Sequence, residues 1–481
     1  MGNLFIVMNT ILTVSKIEFD DACLALPKYK ALVLLIEQAI LAGTLQDQQK
    51  LPAQRLLADQ LNITHGTVTR AYDVLEKKGL VSAKLGAGTY VSMPSSTHYL
   101  NGQSDQSTHA AKEYDFASSM QPMLGQQMLM KSALSELAQD LNAITQVMTY
   151  SPQGVAKHKQ VFTDWLASKK IKIETNDIVF TQGAQQGIYT CLQILTKEND
   201  YILHEELAYP GFFRAVDVSR VKPLSVPITP QGLDLKILEG YCQQYKPKLL
   251  YITPNMQNPT NIQYSPAQLE SIVTLSRKYD FYIVEDDVNY CLSESWRVPL
   301  QQRAPDRVFY LSSLSKYVAG GLRVAYTIVP KLWQQAFNAN IHSQCWMVST
   351  LNFELVTRFL TSERFTYNQS LLESEMRYRQ RAFKNMAEKQ GLIVRCGGLN
   401  VWLSLPNHIN VNQFNAFLLS KNVKARTADL FRHSASSPVS ISSNALRISL
   451  GGFNTRNDFE EGVTEFESAL VQFNNQQDVV I

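Results

Sequence analysis

The sequence predicts an α/β protein of two domains: a small helix-turn-helix head with a β-wing, then a large three-layer domain on a mostly parallel sheet. Three observations predict it. At 481 residues the chain is too long for one hydrophobic core. Residues 28–93 carry three helical patterns and then a hairpin pattern. From Tyr114 onward, short apolar runs alternate with helical ones, as strands joined by crossover helices do.

Composition narrows function before any motif does. The chain is 45% hydrophobic and 18% charged, an ordinary globular balance. No apolar run approaches the roughly 20 residues of a membrane span. Met1 to Thr13 carries no basic leader and no clear cleavage site, so a cytoplasmic protein is expected. The six cysteines (Cys23, Cys191, Cys242, Cys291, Cys345 and Cys396) include no C-x-x-C pair. Buried free thiols are expected, with neither disulfides nor a metal site. Residues 28–93 hold eight Lys/Arg against five Asp/Glu, a net +3 that equals the charge of the whole chain. The basic excess therefore sits in the head.

In the head, Lys28 to Gly43 sets Leu32, Leu35, Ile36, Ala39 and Ile40 on one helical face, with Gly43 as the stop. A second helix starts within Leu51 to Leu61, with Pro52 near its first position. After a turn at Asn62-Ile63, Thr64 caps a third helix that carries Val68, Ala71, Tyr72 and Leu75 and ends at Gly79. Leu80 to Lys84, a turn at Gly86-Ala87-Gly88, and Thr89 to Val91 make the wing. This layout lays its third helix in the major groove of DNA. His65, Thr67, Thr69 and Arg70 are candidate contacts on that helix, Arg55 and Lys84 candidate phosphate contacts, and Gly88 a candidate contact in the wing. A small protein-interaction module is the other use of such geometry. The expected boundaries are 1–94 for the head (core 28–93), 95–113 for a polar, flexible linker and 114–481 for the large domain.

The motifs of the large domain fall at the carboxyl ends of its expected strands, where open α/β sheets bind ligands. Lys316 follows the apolar run Val308 to Leu311, and Arg323 opens the run Val324 to Val329. A lysine there suits an aldehyde cofactor that carries a phosphate: Lys316 forms the Schiff base, and Ser313, Ser315 and Arg323 take the phosphate. A surface lysine in a serine-rich turn is the bland alternative. Gly183, Ala184 and Gln185 join a strand to a helix N-terminus, a place for a phosphate or merely a tight turn. Tyr209 stacks on a ring or packs in the core. Asn258 bonds a phenolic oxygen or serves turn chemistry. Asp286 ends a strand and holds a pyridine nitrogen protonated, or is simply solvated. Arg447 pairs with a substrate carboxylate or with a structural acid.

Two resemblances follow from these residues. L-P-x-x-R, T-V-x-x-A-Y and G-x-G-T-Y-V within residues 51–91 resemble the GntR-type winged helix, with His65 where those proteins commonly carry Arg. Asn258, Asp286 and Lys316, spaced 28 and 30 residues apart, resemble the fold-type I aminotransferases over roughly residues 114–470. That resemblance implies pyridoxal 5'-phosphate as cofactor, with Lys316 forming the internal aldimine, Asp286 on the pyridine nitrogen, Asn258 on the ring hydroxyl and Tyr209 on the ring. It implies that Ser313, Ser315, Arg323 and the 183–185 backbone bind phosphate. It implies that Tyr150 reaches the phosphate of a neighbouring subunit, hence a homodimer. Val288 and Asn289 stand where the family usually has a ring-oxygen Tyr, and Asn261 where it has Gly.

Apart from the first two dozen residues and the linker, the chain looks like the MocR/GabR-type branch of the GntR superfamily. A cytoplasmic transcriptional regulator is therefore expected, one that binds operator DNA and senses an amino compound, or the cofactor itself, through Lys316. The rival is an active aminotransferase with an accessory DNA-binding head. A cofactor-binding scaffold without DNA is the third reading.

Overall fold

The computed structural model describes residues 27–41, 45, 49–77, 80–84, 88–91, 112–433 and 444–478. The chain divides into two compact units, Met1–Ala111 and Lys112–Ile481. Most of the expected linker, the stops at Gly43 and Gly79, the turn residues Gly86 and Ala87, and Cys23 lie outside the described residues.

The head holds α1 (Lys28–Leu41), α2 (Gln54–Gln60), α3 (His65–Lys77), β1 (Val81–Lys84) and β2 (Gly88–Val91), the two strands antiparallel. The apolar face read from α1 is buried, and Leu32, Ile36 and Ile40 pack with Leu57, Val68, Ala71, Leu75, Val81 and Val91. Thr64 Oγ1 accepts from the Thr67 amide at 3.3 Å, as a cap does. One expectation shifts. Pro52 does not open α2, which begins at Gln54. The Leu51 amide donates to Thr89 O at 2.8 Å, and Pro52 O accepts from Tyr72 Oη at 2.9 Å. Those bonds tie the segment to the wing and to α3, and the helix starts two residues after Pro52.

In the large unit, β3 (Tyr114–Asp115) leads to a seven-stranded sheet of β4 (Ile178–Gln182), β5 (Tyr201–Glu205), β6 (Lys222–Val226), β9 (Leu249–Ile252), β10 (Tyr282–Asp286), β11 (Val308–Ser313) and β12 (Val324–Ile328). A two-rung ladder of β7 (Ile228–Thr229) and β8 (Gly232–Leu233) lies between β6 and β9 in the chain. The sheet order is β4-β12-β11-β10-β9-β5-β6, parallel throughout except for β12. Its strands alternate between two cores. Val284, Phe309 and Tyr251 pack with α4 (Ala184–Leu195) and α5 (Pro210–Ser219); Ile283, Val308 and Leu250 pack with α6 (Pro266–Tyr279). That makes the three layers.

Beyond it lies a four-stranded antiparallel sheet, ordered β13 (Ile393–Gly397), β14 (Asn400–Ser404), β17 (Ala445–Ser449), β16 (Arg426–Thr427). β15 (Val423–Lys424) pairs with β3 in parallel. The thiols follow expectation at Cys191, Cys242 and Cys291, which are buried, and depart from it at Cys345 and Cys396, which are half-buried. No helix among the described residues is long and apolar enough to cross a membrane.

Candidate functional site

Sheet register gathers one end of the site. Gln182 closes β4 opposite Val324, and Ser313 closes β11 opposite Ala325, so Gly183, Ser313 and Arg323 meet around the start of β12. Gly183 caps α4 at φ 78, a conformation that L side chains rarely adopt, and the Arg323 guanidinium lies against it. Ala184 and Gln185 form the first turn of α4, whose N–H groups point out of the helix. The Gln185 side chain is engaged elsewhere, donating to Gly211 O at 2.6 Å. The Ser315 amide donates to Ser313 Oγ at 3.1 Å, and the two hydroxyls stand 2.7 Å apart.

The other end is ionisable, with Asp286 buried, Lys316, Asn258 and Arg447 half-buried and Tyr209 exposed. Lys316 ends a one-turn 3-10 helix and donates to Ser119 O. Burial, with Arg447 and Arg323 nearby, holds its ammonium down at about 8. Asp286 closes β10; burial pushes its carboxyl up to about 6, opposed by hydrogen bonds from Tyr251 and the Val288 amide. Tyr209 caps α5 and feels the charges of Asp286, Arg323, Arg214 and Arg447. Asn258 follows β9, and its Oδ1 is buried without a hydrogen-bond partner among the described residues. Arg447, on β17, donates to Ala117 O at 2.8 Å and lies over the Phe431 ring. Tyr150 stands apart from these groups, 82% exposed and edge-on to Trp346.

In the head, His65 and Arg70 are exposed on α3, and Arg55 is exposed on α2. Arg70 is stacked over the Tyr29 ring at 4.1 Å. The Thr69 hydroxyl is already engaged, donating to Gln54 Oε1 at 2.8 Å. Thr67 Oγ1 lies 2.8 Å from Thr64 Oγ1. Lys84 pairs with Gly88 across the wing; the Lys84 side chain lies outside the described residues.

Residues 112–464 match the family described as aminotransferase class I and II. The chain belongs to that family. Residues 28–91 match the bacterial regulatory proteins of the gntR family, so the architecture is of the MocR/GabR type: a gntR-family head joined to a fold-type I aminotransferase-like domain. The chain is 28% identical to the HTH-type transcriptional regulator YdeF of Bacillus subtilis (strain 168), over 91% of this chain and 93% of that one. It is 25% identical to the HTH-type transcriptional regulator YdcR of Escherichia coli (strain K12), over 84% and 92%. In fold it is similar to LysN, the α-aminoadipate aminotransferase of Thermus thermophilus solved with N-(5'-phosphopyridoxyl)-L-leucine, with TM-score 0.68, 22% identity, and 76% and 93% of the two chains covered.

Within this family frame the departure at Asn261 has a structural answer. Its φ is 56, the left-handed region that Gly occupies freely and Asn tolerates, and Nδ2 donates to Arg395 O and Asn400 O, each at 3.0 Å. Asn289 Nδ2 donates to Met256 O at 2.9 Å, and Tyr290 is buried beside Tyr317. Sequence reasoning missed two residues. Lys50 crosses the wing, its side chain against Gly88 and its ammonium 5.7 Å over Tyr90. Tyr251, buried in β9, reaches Asp286; a hydroxyl within an apolar run was the available signal, since a buried phenol seeks a partner.

Proposed function

We propose that this protein is a cytoplasmic, DNA-binding transcriptional regulator whose large domain binds pyridoxal 5'-phosphate and senses an amino compound. The observation that carries the reading is the meeting of Gly183, Ser313 and Arg323 at the start of β12, with Asp286, Asn258 and Lys316 at or after the carboxyl ends of β10, β9 and β11, in a chain that also has a gntR-family head.

Three features support the fit to the cofactor. The 183–185 turn has no room for a Cβ at Gly183. Asn258 Oδ1 is buried with no protein donor among the described residues. The donor set pairs hydroxyls and a guanidinium, suited to a phosphate, with a buried carboxylate suited to a pyridinium. When bound, pyridoxal phosphate supplies an aldehyde that condenses reversibly with amines. The chain supplies the rest. A Lys316 ammonium lowered to about 8 leaves a useful fraction of neutral amine near neutral pH. Ser313, Ser315, Arg323 and the first turn of α4 hold the phosphate, and Asp286 accepts from the ring nitrogen. Asn258 meets the ring hydroxyl, Tyr209 covers the ring, and Arg447 takes a carboxylate of the amino compound. Tyr150, exposed together with Met148 and Leu141, supports a homodimer in which it serves the partner's site.

The head reads operator DNA through α3, and the amino compound acts by binding two states of the protein with different affinity. The test uses full-length protein: visible absorbance on adding pyridoxal phosphate, then gel shifts against genomic fragments at stated salt, with and without candidate amines. Cofactor binding, DNA binding and an amine-dependent change in it are expected. No DNA binding at low salt sinks the regulator. Amino-donor turnover at ordinary enzyme rates, roughly 1–1,000 per second, favours the aminotransferase instead.

A further inference from the structure

Asp286 is held by two neighbours. The Val288 amide donates to Oδ1 at 3.1 Å, and Tyr251 Oη donates to Oδ2 at 2.6 Å. A carboxylate offers about four lone-pair positions, so two directed bonds fix its plane and leave positions open. Tyr251 is itself held. It is fully buried in β9, and the Phe212 ring lies parallel to it at 3.9 Å and 10°. Phe212 sits on α5, the helix capped by Tyr209. One helix thus bears on Asp286, through Phe212 and Tyr251, and carries Tyr209 at its start. Any buried phenol needs an acceptor; the one that Tyr251 meets is an ionisable group at the candidate site.

We propose that Tyr251 is a positioning residue of the cofactor site: its hydroxyl fixes the plane of the Asp286 carboxylate and favours the ionised form that a pyridinium N–H requires. This rests on reading the site as one for pyridoxal phosphate. Tyr251 keeps its proton throughout, since burial and the Asp286 charge push its own ionisation well above the usual phenol range. The other groups acting on Asp286 are the Asp287 carboxylate, next in the chain, and Tyr209 from α5.

The test compares wild type, Y251F, D286N and the double variant as full chains without cofactor, by chemical denaturation across the pH range around 6. Asp286 has a folded-state value near 6, above its ordinary 3.8. Stability from it is therefore present in full below the ordinary value and lost as pH rises through the folded one. Removing the donor raises the folded value further. In Y251F the falling limb should move up by about one pH unit, the effect of losing one hydrogen bond to a charged group. D286N should lack that limb, and the double variant should match D286N in shape. The pH below which pyridoxal phosphate binding weakens should move up by the same amount. Phe212→Leu, which removes the ring that holds Tyr251 but keeps its hydroxyl, should give a smaller shift in the same direction and serves if Y251F does not fold. Limbs that coincide in wild type and variants would reduce Tyr251 to a core residue. A wild type that binds no pyridoxal phosphate at any pH overturns the cofactor reading, while the cofactor-free curves still decide whether Tyr251 acts on Asp286.

Discussion

The Arg323 guanidinium packs where residue 183 would carry a side chain: a Cβ built on Gly183 would overlap Nη2 and lie 2.7 Å from Cζ. Gly183 also has φ 78. A side chain here meets both a strained backbone, costing about 1–3 kcal/mol, and the group assigned to the phosphate. Gly183→Ala should weaken pyridoxal phosphate binding by at least about tenfold. Equilibrium titration by visible absorbance checks this, and unchanged affinity would remove the turn from the site.

Lys316→Ala should fold normally and lose covalent attachment of the cofactor entirely. Borohydride reduction followed by intact mass measurement should add one phosphopyridoxyl group to wild type and none to the variant. Equal labelling of both would move the reactive amine to another lysine.

Glu285 is fully buried beside Asp286, and burial pushes its carboxyl from the usual 4.5 up to about 8, against hydrogen bonds from the Leu300 and Gln301 amides. Its folded value is raised, so the stability linked to it is present in full below 4.5 and lost as pH rises through about 8. Glu285→Gln should flatten the fall in unfolding free energy across that window by up to about one proton's slope. Parallel curves for variant and wild type would show that Glu285 does not titrate on folding.

Arg55 is exposed on α2, whereas Arg70 is stacked on Tyr29. Arg55→Ala should weaken operator binding and lower the salt slope by about one, leaving head stability unchanged. Arg70→Ala should also destabilise the head by about 0.5–1 kcal/mol through the lost ring contact. If both variants bind like the parent with the same slope, α2 and α3 do not meet DNA as proposed.

Strand–helix alternation was legible because buried parallel strands are near-continuous apolar runs, as in Leu249–Ile252 and Val308–Leu311. β13, β14 and β16 were not read as strands: β13 and β16, at the two edges of their sheet, carry residues such as Arg395 and Arg426, and the interior β14 has only three consecutive apolar residues, Val401 to Leu403. The places of Lys316, Asp286 and Asn258 at or after strand ends were legible because each follows or closes an apolar run.

By itself, the sequence determined that Asp286 ends a strand and that Thr64 caps a helix, since local periodicity and backbone preference decide those. Only the tertiary structure decided which residues meet. The antiparallel insertion of β12 between β4 and β11 brings Arg323 onto Gly183, whose positions lie 140 apart in the chain. The pairing of β9 with β10 brings Tyr251 onto Asp286. Neither contact leaves a local trace, because strand order is set by how whole layers bury their faces and not by any one segment.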